Sequence, residues 1–444
     1  MALIYLVKNL LTLELVPMLR KSLIIANAIM LLTACTLPFA KERHIVGALE
    51  QFETAYVQTY GDTVAAEDAR DLFSEVLYRI ETRYVDEVDT QKITNTAIEA
   101  LQGAKGTDEV PVTAALNSVL KSLDPYSGYM SPESYQRYQD SLDGRFKGFG
   151  FRIEMRKEEL TVITPMRGSA AEEAGIRPDD VISHVDGQPL KGFSLAEAVH
   201  ILRGPEGTSA VLTIKRPSVR EPFDLSVERR AINIIPVEYR VDGDVGYIRI
   251  ETFNKNTTAN VREALDFFEE KLGPRMCGLI LDVRSNPGGL VTSAVQIADE
   301  FLEEGNIFSA INRGESFNAE DAHSGDRLMG LPIMVMVNKG SASAAEIVAG
   351  ALKYKRRALL IGEQSYGKGT MQTLYDLDNG GGIRLTTGRF TVGGGASFNG
   401  SGLEPDIIDN KLENEDDLAL VARAGKAMNC TMSLRTASTD STPR

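Results

Sequence analysis

VNKGSASAAEIVAGALKYKRRALLIGEQSYGKGTMQ, residues 337 to 372, is the stretch from which this 444-residue chain is best read. With the residues just before it, LPIMVMVN (331–338) forms an uninterrupted apolar run containing β-branched side chains, the pattern of a strand buried on both faces. Gly340 permits a tight turn. From Ser343 onward, Ile347, Val348, Ala351 and Leu352 recur at helical spacing, and Glu346 stands three places after Ser343 as in a capping box. Ser343 is therefore expected at a strand-to-helix corner, near the positive end of a helix dipole. A second buried strand, RALLIG, leads into YGKGT and places Lys368 25 residues after Ser343.

A serine hydroxyl is a weak nucleophile and needs a base. The four histidines, His44, His184, His200 and His323, lie in stretches without other catalytic features. A lysine that has lost its proton to apolar surroundings is the alternative base. Spacing alone would equally suit an N-cap serine and a solvated loop lysine. A third segment, CGLILDVRSNPGGL (277–290), decides between them. It is another buried strand, ending in Asn286-Pro287-Gly288-Gly289, and consecutive glycines after a strand let backbone N–H groups face a developing negative charge. In order and spacing, DVRSNPGG, VNKGSASAAEI and GEQSYGKGTMQ resemble the signature blocks of the C-terminal processing (tail-specific) proteases, Ser-Lys serine peptidases. The resemblance runs from about Leu72 to Asn410.

That resemblance implies Ser343 as nucleophile, Lys368 as general base and Gln372 as the group orienting the lysine. It implies oxyanion donors at the backbone N–H of Ala344 and of Gly288 or Gly289. Ala345 stands where the family often has another serine. The implied fold is α/β, a crotonase/ClpP-like spiral core with an inserted PDZ domain and an N-terminal helical region, and it needs no cofactor or metal. Gly362 to Lys368 also reads G-x-x-x-x-G-K, but Gly369 replaces the magnesium-binding Ser or Thr and a strand, not a helix, is expected next, which argues against a phosphate loop.

Residues 145–229 resemble a PDZ domain, a fold that adds a peptide to a sheet edge and holds its terminal carboxylate with loop N–H groups. The carboxylate loop would be Lys147 to Phe151, with Gly148 and Gly150 permitting close approach. Phe149, Phe151, Val199 and Leu202 are the pocket candidates. Lys147 reads first as a solvated surface charge. Residues 67–143 read as helical, with Leu72, Phe73, Val76, Leu77 and Ile80 on one face and a loop at 103–111. Residues 230–411 form the protease core, and 412–444 a tail whose polar end is expected to be disordered.

The net charge of −14 gives no support for nucleic-acid binding. Three cysteines cannot all pair internally, no CxxC or Cys/His cluster suggests a metal, and Cys277 reads as a small core residue. A basic Met18-Leu-Arg-Lys21, an apolar run from Ser22 to Leu32 and then Leu-Thr-Ala-Cys35 resemble a lipoprotein signal over residues 1–34. Translation would then start at Met18, Cys35 would be lipidated, and 35–66 would be a linker. This implies a membrane-tethered, periplasmic protein, and Thr36 in place of an aspartate favours the outer membrane. The expected function is a serine endopeptidase that recognises protein C-termini. The alternative is a PDZ scaffold with an inactive core; an acyl-CoA enzyme on a crotonase-like fold leaves the PDZ segment unexplained. Expected partners are proteins with accessible C-termini, a helical-repeat adaptor lipoprotein and a second copy of the chain.

Overall fold

A computed structural model describes residues 45–107, 110–166, 168–323, 325–409, 423–428 and 430. The apolar run at 22–32, Cys35, His44 and the polar end after residue 430 lie outside the described residues. The chain forms two compact units, Met1–Pro132 with Gln372–Gly388, and Glu133–Met371 with Arg389–Arg444.

The first unit is mainly helical. Helices run over 45–60, Thr63–Arg83, Thr90–Gly103 and Pro111–Leu123. Asp62 and Asp89 cap the second and third by accepting backbone N–H groups, and Pro111 opens the fourth, where its missing N–H costs nothing. Phe73, Val76, Leu77 and Ile80 are fully buried, as their spacing predicts. The linker reading of 35–66 is corrected over its described part. Residues 45–60 are helical, and Phe52 is buried there, stacked on Phe73 at 4.4 Å.

The second unit carries two sheets of function-bearing strands. In the first, the order is Phe151–Arg156, Glu159–Pro165, Val181–Val185, Ser209–Lys215 and Phe223–Glu228, which leaves Phe151–Arg156 at an edge. Helix Leu195–Leu202, capped by Ser194 and Glu197, accompanies this sheet. A ribbon of Arg145–Gly148 paired with Arg230–Asn233 joins it to the rest of the unit.

The second sheet has the order Val237–Asp242, Val245–Ile250, Gly278–Asp282, Ile333–Val337, Ala358–Gly362 and Ile407–Ile408, parallel except for its first pair. Alternation within each strand separates its two faces. Ile248, Leu279, Leu281, Val335, Val337 and Leu360 pack with helices Thr257–Leu272, Val291–Asp299 and Ala344–Tyr354. On the opposite face, Val245, Tyr247, Ile280, Met334, Met336 and Ile361 are covered by Ala424, Met428 and Cys430. Burial on both faces is why these strands read as continuous apolar runs.

Two expectations change here. Cys277 is not a free core thiol but is disulfide-bonded to Cys430, 153 residues away. Ala424, Met428 and Cys430, beyond the expected core boundary at 411, cover one face of this sheet. The absence of a side chain at Gly278 lets Met428 in: a β-carbon there would lie 3.0 Å from Met428 Sδ.

Candidate active site

Strand Ile333–Val337 ends in the turn that delivers Ser343 to the start of helix Ala344–Tyr354. The two serines of GSAS have different surroundings. Ser341 is fully buried and its Oγ donates to the Val283 carbonyl at 2.8 Å, tying this turn to the neighbouring strand end. Ser343 has φ 56° and ψ −115°, a left-handed conformation costly for a residue with a β-carbon, about 1–3 kcal/mol. Such strain persists only where the surroundings enforce it.

Glu346 is what enforces it. Its carboxylate is fully buried and accepts four hydrogen bonds: from Ser365 Oγ at 2.6 Å and Gly367 N–H at 2.7 Å on Oε1, and from Ser343 N–H at 2.8 Å and Lys368 N–H at 2.9 Å on Oε2. One oxygen atom thus joins the backbone of Ser343 to that of Lys368. Burial pushes the Glu346 carboxyl above the usual carboxylate range, and the four donors partly oppose this. Capping-box spacing identified the Ser343 contact. Nothing local pointed to the other three.

The lysine loop is braced from its other side by residues 399–403. Ser365 Oγ accepts Leu403 N–H at 2.7 Å, and a β-carbon at Gly367 would lie 2.7 Å from Gly402 N. Strand Thr370–Asp376 follows the loop, so the helix a phosphate loop requires is absent, and the Gly367 and Lys368 N–H groups already serve a carboxylate.

The glycine turn sits against the serine. A β-carbon at Gly288, φ +100°, would lie 2.8 Å from Ser343 Cβ and 3.0 Å from Ala344 N. The strand before it ends on a buried charge cluster, in which Asp282 accepts from Arg284 Nε at 2.9 Å and from Tyr247 Oη at 2.7 Å. Of the two turn glycines, Gly288 is engaged: its N–H donates to Asn286 Oδ1 at 2.8 Å. Gly289 N–H and Ala344 N–H donate to no acceptor among the described residues. Gly288 is therefore not an available donor in this conformation, and Gly289 is.

Gln372 lies in strand Thr370–Asp376, and its Nε2 donates to Thr386 Oγ1 at 3.3 Å. His184 stands on a sheet strand beside Ser183, His200 is exposed on its helix, and His323 is exposed and paired with Asp299.

In the two-stranded ribbon, Gly148 pairs with Arg230. Gly150, φ +86°, leaves no room for a β-carbon, which would lie 2.3 Å from Ser169 Cβ, and its carbonyl accepts Ser169 Oγ at 2.8 Å. Phe149 and Leu202 are buried in the domain core, with the Arg229 guanidinium 4.9 Å from the Phe149 ring. Phe151 and Val199 are half-buried, and Ile153 and Met155 on the edge strand join Phe151 in partial exposure against the core. Lys147 Nζ lies 3.5 Å from Asp140 Oδ2 at an exposed position, in keeping with a surface charge.

Two segments match known families: residues 244–408 match peptidase family S41, and residues 161–216 match the PDZ domain. The first match includes Ser343 and Lys368; the second begins after the loop at 147–151. The carboxy-terminal-processing protease of Bartonella bacilliformis is 39% identical over 338 residues, which span 76% of this chain and 74% of the relative. The carboxy-terminal processing protease CtpA of Bacillus subtilis is 36% identical over 306 residues, spanning 68% of this chain and 65% of the relative. A solved S41 protease from Bacteroides fragilis shares the fold, with a TM-score of 0.52 at 16% identity over 80% of this chain and 97% of that one.

Proposed function

Because the chain belongs to peptidase family S41 and is a serine peptidase of the carboxy-terminal-processing type, we propose that it takes hold of a protein's free C-terminus and cleaves upstream of it by a Ser-Lys mechanism. The observation that carries this reading is the Glu346 carboxylate, which joins the backbone nitrogens of Ser343 and Lys368. Lys368, as neutral amine, removes the Ser343 Oγ proton while the oxygen attacks the scissile carbonyl carbon. Ala344 and Gly289 N–H groups receive the oxyanion. The C–N bond breaks, the amine leaves with the proton, and water then hydrolyses the acyl-enzyme. By sequence position, Gln372 takes the role of orienting the lysine.

The PDZ domain supplies recognition. Phe151–Arg156 is an edge strand that a peptide can extend, and the glycine loop before it would receive the terminal carboxylate. Remote binding of this kind positions the reacting bond. The same domain gates the site. The disulfide between Cys277 and Cys430 supports an oxidising, extracytoplasmic location and leaves Cys35 as the cysteine for lipidation. The periplasmic tether, a helical-repeat adaptor and self-association belong to this same reading.

The decisive comparison is wild type against Ser343→Ala on a protein carrying an apolar C-terminal tag, followed by mass spectrometry of intact and cleaved chains. Wild type should cleave and the variant should hold the substrate uncut. Equal survival of the substrate with both, across several pH values, would leave a binding scaffold instead. Trapping cellular proteins on Ser343→Ala and reading their C-termini identifies the natural substrates.

A further inference from the structure

Asn286 has no part in the reaction proposed above, yet it is fully buried and every hydrogen-bonding group it carries is used across the site. Its Nδ2 donates to the Ile250 carbonyl at 2.8 Å, at the end of strand Val245–Ile250. Its Oδ1 accepts Gly288 N–H at 2.8 Å, within its own turn. Its backbone carbonyl accepts Ala342 N–H at 2.9 Å, one residue before Ser343. One residue therefore holds both walls of the site, the glycine turn and the serine corner. The amide orientation is fixed by its partners, since turning it over would set Nδ2 against an N–H and Oδ1 against a carbonyl.

The neighbouring contacts give this bracing a direction. Gly288 O accepts Phe253 N–H at 3.0 Å, and Leu290 N–H donates to Phe253 O at 2.7 Å. These two groups face Phe253, so the Gly289 N–H between them faces the other way. A β-carbon at Gly289 would lie 2.0 Å from the Phe253 carbonyl, so no other residue type fits this close approach. With Gly288 N–H taken by Asn286, one turn N–H is left to meet a substrate carbonyl.

We propose that Asn286 is a positioning residue for acyl transfer: its amide withdraws the Gly288 N–H from the reacting atoms and fixes the turn so that the Gly289 N–H serves as oxyanion donor. This rests on the Ser-Lys reading and adds to it the residue that selects between two adjacent donors. Only asparagine's chemistry suits the position. Aspartate keeps the acceptor for Gly288 but sets a carboxylate oxygen against the Ile250 carbonyl, and serine supplies an acceptor without the second donor.

The test uses the full chain and its Asn286→Asp and Asn286→Ser variants. Three quantities are read: kcat and KM on a C-terminally tagged peptide, thermal unfolding, and affinity for a peptide aldehyde that forms a tetrahedral oxyanion adduct with the serine. Loss of one oxyanion donor lowers kcat by about 10²–10³-fold, and Asn286→Asp should approach this with KM nearly unchanged. Asn286→Ser, which keeps one of the two side-chain contacts, should fall between it and wild type. Aldehyde affinity should drop in step with kcat/KM, which a merely destabilised fold would not produce. Either folded variant keeping kcat within about threefold, or losing kcat while binding the aldehyde as wild type does, overturns the proposal. Hydrolysis surviving in Ser343→Ala would instead overturn the Ser-Lys reading itself.

Discussion

Replacing Glu346 by glutamine changes one atom's chemistry and almost no volume, so it isolates what the carboxylate does. Each of its oxygens accepts two hydrogen bonds, from Ser365 and Gly367 on one side and from Ser343 and Lys368 on the other. A glutamine must turn its NH₂ toward one of these pairs. Turned toward Ser343 and Lys368 the NH₂ strands two backbone donors; turned toward Ser365 and Gly367 it donates to the Ser365 hydroxyl and strands only the Gly367 N–H. At about 1.5–3 kcal/mol for each bond to a charged group, the loss is about 3–6 kcal/mol in the first orientation and about 1.5–3 kcal/mol in the second, which the side chain therefore adopts. Burial already penalises the ionised carboxylate, as its raised pKa shows, and a neutral side chain escapes that penalty. The net destabilisation is therefore about 1–3 kcal/mol, or roughly 3–10 °C in Tm for a unit of this size. Activity should fall further than stability, because the stranded Gly367 N–H belongs to the backbone of the loop that carries Lys368. Thermal unfolding and peptide hydrolysis on the same preparation measure both. A Glu346→Gln protein with Tm within about 2 °C of wild type and kcat within about threefold would refute the reasoning.

Other consequences are open to measurement. Reduction by a dithiol, or Cys277→Ser with Cys430→Ser, should lower stability by up to about 5 kcal/mol in the chain-entropy picture, given the length of the closed loop; unchanged denaturant midpoints with and without reductant would contradict the cross-link. Gly150→Ala, whose β-carbon has no room beside Ser169, should raise KM for a tagged peptide while sparing kcat on a short untagged one. Because the Glu346 carboxyl titrates above the ordinary range, acidification protonates it early and places a proton among four donors, so kcat should decline as pH falls through that raised pKa. Lysine as base gives a rise in the same direction, so replacing all four histidines should preserve the kcat–pH profile.

The serine corner was legible because its determinants are local. An apolar run, a glycine and a helical repeat specify strand, turn and helix without outside help, and the lysine loop is marked by its bracketing glycines. What escaped the sequence depends on contacts between distant segments. Glu346 shows itself locally as a helix-capping residue; its bonds to Ser365, Gly367 and Lys368 exist only after strand Ala358–Gly362 pairs with strand Ile333–Val337. Gly288 and Gly289 are indistinguishable as letters, and the Asn286 side chain separates them. Phe149 and Leu202 suit a pocket or a core equally well by type, and packing buried them. The helix at 45–60 lacked a clear boundary signal beside the apolar segment before it, and its Phe52 is accounted for by Phe73.

The cover on the rear of the large sheet has a consequence for the order of events in the cell. Residues 343 and 368 leave the ribosome well before Ala424, Met428 and Cys430, which seal Tyr247, Ile280 and Met334 from water. Until those last pieces are made and cross-linked, Tyr247, whose hydroxyl steadies the strand leading to the glycine turn, sits in an unsealed wall. A half-made copy therefore carries Ser343 and Lys368 without a finished frame to hold the strands that lead to them.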